Sequence, residues 1–119
     1  ACNKPATNLS VWLVSLPWTD SSKLTDDIVT RGWADPQNTT PEASAPLKPN
    51  KAVTVSFDLQ PDDQVIPAGK QVGLMIFSSD RDYTLWPKPG TQLSVVLDDT
   101  ALELPVVGGR SAYEAALEK

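Results

Sequence analysis

The chain has 119 residues, 40% of them hydrophobic, with 10 Lys+Arg against 15 Asp+Glu and a net charge of −5. That length suits one domain able to bury about two-thirds of its extended surface, and the acidic balance argues against nucleic acid, which needs a basic stripe. Zero histidines exclude a Ser-His-Asp or Cys-His arrangement within the chain, a single cysteine (Cys2) excludes an internal disulfide, and the longest apolar runs fall far short of the ~18 residues of a membrane-spanning helix.

Eleven prolines and six glycines cut the sequence into short segments, an all-β habit. The first predicted strand is Leu9–Leu16, closed by Pro17, and a polar loop from Thr19 to Asp27 follows. Ile28–Trp33 reads as a second, short strand with a bulge expected at Gly32. Ala34 to Asn50 contains Pro36, Pro41, Pro46 and Pro49 and reads as a long connection, since proline removes ladder donors. In Val53–Leu59 the residues Val53, Val55, Phe57 and Leu59 alternate with Thr54, Ser56 and Asp58, the pattern of a half-buried antiparallel strand.

Val65-Ile66 lies between two turns, and Gln71–Phe77 (QVGLMIF) is apolar on both faces, as a central strand would be. Within it, Gly73 predicts close packing. Ser78 to Thr91 (SSDRDYTLWPKPGT) has no strand alternation and reads as an irregular loop. Gln92–Leu97 and Ala101–Val107 resume the strand pattern around an Asp98-Asp99-Thr100 turn, and Gly108-Gly109 ends the sheet. Ser111–Lys119 favours a short helix, with Ser111 and Glu114 spaced for a capping box. The whole, residues 1–119, is expected to be a single domain.

Several constellations have chemical readings. Asp58, Asp62 and Asp63, Asp80 and Asp82, and Asp98 and Asp99 could supply calcium ligands, but their spacing matches no EF-hand loop and aspartate is an ordinary turn residue. No metal or other cofactor is therefore expected, and a glycosidase-type carboxylate pair is a weaker reading still. Ser78-Ser79-Asp80 has nucleophile-type residues but no base, so a turn is expected and no catalytic residue is assigned. Trp12, Trp18, Trp33 and Trp86 could stack on sugars, which makes a carbohydrate-binding module the first rival reading. Trp12 lies mid-strand and reads as core, whereas Trp33 and Trp86 suit an interface. Asn8-Leu9-Ser10 and Asn38-Thr39-Thr40 match the glycosylation tripeptide, a pattern common by chance.

Four ordered segments together resemble one known module. They are Ile28–Pro36 with its Arg31-Gly32 pair; Pro46–Asn50 leading into Leu59; the stretch Ile66–Asp80, IPAGKQVGLMIFSSD; and Asp82–Thr91 followed by Leu104–Val107. The third resembles the "AGHRLRLxISSSD" signature of the C-terminal domain of Xaa-Pro dipeptidyl-peptidases and the related cocaine-esterase-like acyl hydrolases. The likeness runs over roughly residues 8 to 109. Lys70 stands where the family has histidine, Gln71-Val72 where it has Arg-Leu, and the signature's third serine is absent.

The resemblance implies a jelly-roll (galactose-binding-like) β-sandwich with a short C-terminal helix, appended to an α/β-hydrolase catalytic domain that carries the serine nucleophile, acid and histidine. The domain would pack on that partner and shape substrate access, in a peptidase or in an acyl esterase. Asp80, Arg81, Tyr83, Leu85 and Trp86 are the interface candidates, because their loop is long, aromatic and charged. Detached from its partner, such a patch would favour self-association into a homo-oligomer. One cysteine is compatible with either redox compartment, so secretion stays open.

Overall fold

The middle of the three-stranded sheet is held not by Gln71–Phe77, as its apolar pattern suggests, but by Leu9–Leu16 (β1, LSVWLVSL), whose apolar residues also lie on both faces. The computed structural model, which describes residues 1–18 and 27–117, places it there. It pairs antiparallel with Ile28–Ala34 (β2) on one side and Gln71–Phe77 (β3) on the other, in the order β2-β1-β3. Val11, Leu13 and Val14 are buried, from both faces of the strand, and Ser10 and Ser15 are buried with them. The expected Thr19–Asp27 loop and the last two residues of the expected helix fall outside the described residues, apart from Asp27.

The registers assign the faces. Ser10 lies opposite Trp33 and Phe77, and Trp12 opposite Arg31 and Met75, so these six share one face. Leu13 lies opposite Thr30 and Leu74 on the other. The irregularity in β2 is not at Gly32 as expected. Leu13 pairs with Thr30 and Val14 with Ile28, so the ladder skips Val29.

Gly32 has a different task. A methyl group on it would stand 2.6 Å from Leu59 Cδ2 and 3.0 Å from the Asp58 carbonyl oxygen, so its hydrogen admits a crossing chain. The Gln60 N–H donates to the Arg31 carbonyl at 2.6 Å, and the Thr30 hydroxyl to the Gln60 carbonyl at 2.6 Å, which fastens that crossing to β2. Gly73 likewise faces Leu16 Cδ1, 2.8 Å from where a Cβ would sit.

Three expected strands are not ladder strands. Val53–Leu59, Gln92–Leu97 and Ala101–Val107 join no named sheet among the described residues. Val53–Leu59 meets β2 only through its C-terminal end. Gln92–Ser94 pairs with the first residues of the chain, through the Cys2–Leu93 bridge and bonds from Ser94 N to Ala1 O (2.8 Å) and Asn3 N to Gln92 O (3.2 Å). Leu97–Asp99 forms a single 3₁₀ turn. A period-2 pattern states which residues want burial, and it forms a strand only where a partner edge is in reach. Here apolar residues of these segments stay in contact with solvent, among them Val53, Val95, Val96, Leu102 and Leu104. The radius of gyration, 16.2 Å, exceeds the roughly 13.5 Å of a compact chain of this length.

The C-terminal helix, Gly109–Leu117 (α1), starts two residues before the expected Ser111. Ser111 therefore lies inside the first turn rather than capping it, and Glu114 bonds Arg110 Nε at 2.7 Å instead of closing a capping box. Secondary structure is thus mostly antiparallel sheet with one short terminal helix.

Gly32→Ala should destabilise the chain by about 1–3 kcal/mol, the range for forcing a methyl group against packed atoms, read as a lower urea midpoint at unchanged slope. Leu59→Ala should return part of that loss in the double variant, and an unchanged midpoint in Gly32→Ala would show that no crossing chain packs there.

Candidate functional site

The face carrying Ser10, Trp12, Arg31, Trp33 and Phe77 receives the loop that follows β3. Two residues beyond Phe77 the chain has passed Ser78-Ser79, and Asp80 turns back over the sheet, 3% exposed. Its Oδ2 accepts from Trp12 Nε1 at 2.8 Å and from Trp33 Nε1 at 3.2 Å, and lies 3.6 Å from an Arg31 guanidinium nitrogen. The Asp80 N–H donates to the hydroxyls of Ser10 (3.1 Å) and Thr84 (2.9 Å). Its carbonyl accepts from the N–H groups of Tyr83 (2.9 Å) and Thr84 (2.8 Å) and from the Thr84 hydroxyl (3.1 Å). One residue thus anchors the loop by side chain and backbone at once.

Aromatic rings enclose the ion pair. The Arg31 guanidinium lies 4.6 Å from the Trp12 ring centre and 4.9 Å from that of Tyr83. Tyr83 stacks on Trp33 at 5.4 Å, Phe77 meets Trp12 edge-on at 5.1 Å, and Trp18 stacks on Trp12 at 6.3 Å. A cation between two ring faces gains from their quadrupoles, most strongly where water is excluded.

The five interface candidates therefore separate. Asp80 is spent inside the domain, 3% exposed, and is the anchor of the loop. Tyr83, Leu85 and Trp86 are 57%, 84% and 68% exposed, and Arg81 is exposed beside them. Trp86 is held from below, its Nε1 donating to the Arg81 carbonyl at 3.3 Å while the Arg81 guanidinium lies 5.5 Å from its ring centre. Asn8 Nδ2 donates to the Leu85 carbonyl at 2.6 Å, tying the loop to the start of β1. Trp33, expected at an interface, is half-buried beneath Tyr83, and Trp12 is half-buried rather than core.

The sequence reading missed Arg31, Ser10 and Thr84 as members of this cluster. The signal was present: two-residue spacing puts Arg31 with Trp33, and Ser10 with Trp12, on one face of adjacent strands. Nothing local states that Asp80 reaches them from 68 or more residues away in the case of Trp12.

The chemistry of this cluster is cohesive rather than catalytic. Every strong donor around the Asp80 carboxylate is a fixed ring N–H or guanidinium. Ser79 Oγ meets only the Thr84 hydroxyl at 3.5 Å among the described residues, and the turn expected at Ser78-Ser79-Asp80 begins instead at Arg81. Among the described residues no group of three or more His, Cys, Asp or Glu could hold a metal ion. At the far end of the sheet, Lys70 Nζ lies 3.3 Å from Asp27 Oδ1 and 3.5 Å from the Pro17 carbonyl, bracing the start of β3 against the start of β2. An open cleft of about 220 Å³ runs along Ile28–Arg31 and Gln60–Asp62.

Residues 1–114 match the family model described as the X-Pro dipeptidyl-peptidase C-terminal non-catalytic domain. A protein of Rhodopirellula baltica provisionally named an Xaa-Pro dipeptidyl-peptidase is 61% identical over 118 residues, covering 97% of this chain and 19% of its own. A Bacillus cereus protein of the same provisional name is 42% identical over 103 residues, covering 86% of this chain and 17% of its own. The Xaa-Pro dipeptidyl-peptidase of Streptococcus gordonii is 30% identical over 94 residues, covering 78% of this chain and 12% of its own. The chain thus spans less than a fifth of the length of these relatives. No solved structure matches it. A non-catalytic description agrees with a sequence that has no histidine, and with a cluster whose groups are all engaged in holding a loop. The chain belongs to the family of C-terminal non-catalytic domains of X-Pro dipeptidyl-peptidases.

Proposed function

We propose that this chain is the accessory β-sandwich of an Xaa-Pro dipeptidyl-peptidase-like serine hydrolase, packing on the α/β catalytic domain and shaping access to its pocket. The observation that carries the proposal is the anchored loop: Tyr83, Leu85 and Trp86 stand in solvent on a backbone fixed from within by Asp80. Tryptophan, tyrosine and arginine are the residues that dominate binding energy at protein interfaces. Ordering them beforehand removes part of the entropy cost of docking. A jelly-roll arrangement belongs to the same proposal: the alternating segments Val53–Leu59 and Gln92–Leu97, which join no sheet among the described residues, have the pattern that strands of its second layer need. The relatives' names favour a peptidase over an ester-cleaving parent. A sugar-binding platform is disfavoured, since the Trp12 and Trp33 rings are occupied by Arg31, Phe77 and Tyr83, which leaves Trp86 with one open face.

The test uses the whole parent enzyme and this chain side by side, with a chromogenic Gly-Pro substrate. Turnover is expected from the enzyme alone. In the enzyme, Leu85→Asp and Trp86→Asp should each cost roughly 2 kcal/mol or more of domain docking, the scale of an interface hot spot, seen as a lower melting temperature and a reduced kcat/KM. Turnover by the isolated chain, or loop variants that leave both quantities unchanged, would overturn the reading.

Asp80→Asn keeps the shape but removes the charge facing Arg31, whose side chain is nine-tenths buried. Leaving a buried cation without its partner costs roughly 3 kcal/mol, so the isolated domain should lose a large part of its stability. In the enzyme the same variant should release the loop, visible as faster hydrogen exchange across Arg81–Trp86. Stability and exchange both at the parental level would show that Asp80 is not the anchor.

A further inference from the structure

We infer that α1 is a second docking element, whose apolar stripe of Ala112, Tyr113, Ala116 and Leu117 seats against the catalytic part of the same polypeptide. The inference rests on the accessory-domain reading above and extends it to a surface distinct from the Asp80-anchored loop.

The helix has nine residues, none of them buried, and makes no packing contact with β1, β2 or β3. Helices shorter than about 12–15 residues are marginal in water even with favourable sequences. Its other supports are weak. No acidic residue occupies its first turn and no basic residue its last, so the helix dipole is not complemented. The Arg110–Glu114 pair is solvent-exposed and has its cation on the N-terminal side, the less favourable order. A helix with these properties needs a covering surface.

What it would offer such a surface is plain. Tyr113 and Leu117 are four residues apart and so lie one above the other, 46% and 67% exposed, flanked by two alanines that allow close approach. The Arg110–Glu114 pair borders this stripe on its Leu117 side. The helix also leaves the body of the domain at a set angle. Gly108 and Gly109 both adopt positive φ, +82° and +70°, and the Gly109 N–H donates to the Val106 carbonyl at 2.9 Å. A Cβ on Gly108 would stand 2.8 Å from the Ala112 Cβ, so glycine is what lets the elbow close onto the first turn.

Three arguments select the same polypeptide over a second copy as the occupant. The Rhodopirellula baltica relative shares 97% of this chain, yet the shared segment is 19% of its length, so about four-fifths of that chain is there to supply a groove. A four-residue stripe on a nine-residue helix is also far smaller than the ~800 Å² per partner of a stable complex between free proteins. Within one polypeptide the tether raises the effective concentration to the millimolar range, and a small stripe is then enough. Two copies each at −5 would in addition repel one another.

The experiment is peptide-resolved hydrogen exchange on the full-length enzyme and on the isolated chain. Residues 109–117 should exchange at least ~10-fold more slowly in the enzyme. The double variant Tyr113→Ala/Leu117→Ala preserves helix propensity and should abolish that protection in the enzyme, while Glu114→Gln should keep it. Equal exchange in enzyme and isolated chain would overturn the inference, as would protection that grows with protein concentration, which would assign the stripe to a second copy. Failure of the accessory-domain reading has a separate signature, namely an Arg81–Trp86 loop that is unprotected in the enzyme and an enzyme that leaves the Gly-Pro substrate intact.

Discussion

A carboxylate taken out of water costs several kcal/mol unless donors surround it, and the domain is arranged so that they do. Trp12 on the central strand, Arg31 and Trp33 on its neighbour, and the Asp80 carboxylate converge on a single oxygen. The loop after β3 then has no freedom to drift. Asp80 binds two strands by its side chain, and by its backbone it closes the turn to Tyr83 and Thr84. The presented residues inherit their positions from this anchor.

The same arrangement explains the unusual distribution of apolar surface. Where the Asp80 cluster closes one face of the sheet, aromatic rings are half-buried and paired. Elsewhere, alternating segments run without ladder partners, and valines and leucines of Val53–Leu59, Gln92–Leu97 and Ala101–Val107 meet solvent. Exposed apolar area on this scale marks surfaces that function under cover. A polypeptide that spans a fifth or less of its relatives has both a reason to expose such surface and, in the proposed enzyme, the means of covering it.

Of the three strands read from the sequence, two were legible because their apolar residues are locally dense: LSVWLVSL and QVGLMIF read as strands before any pairing is known. Val53–Leu59 has the clearest alternation of all and is not a ladder strand. The reason is that alternation reports a wish for one buried face, whereas a ladder needs an available edge. Gly32 is instructive in the same way. A glycine in a strand signals either a bulge or a close approach, and only the arrival of Asp58 and Leu59 decides between them. At the loop, exposed Tyr83, Leu85 and Trp86 were readable from composition. Asp80 was not, since an aspartate in a loop looks the same whether it faces water or a buried guanidinium.

Lys70 fastens the opposite end of the sheet. The family's signature has histidine here, and this chain has a lysine whose ammonium reaches Asp27 Oδ1 and the Pro17 carbonyl. Those two contacts join the end of β1, the start of β2 and the start of β3, the corner of the sheet farthest from Asp80. A lysine suits that task because its flexible stem reaches past the corner while the charged end stays partly hydrated. The sheet is therefore held at both ends by an ion pair. The one near the loop is made by a planar guanidinium enclosed by rings, and the one at the corner by a flexible lysine a quarter open to water. Precision is concentrated at the end that presents Tyr83, Leu85 and Trp86, the surface proposed to dock, and tolerance at the end where only the strands must be kept together.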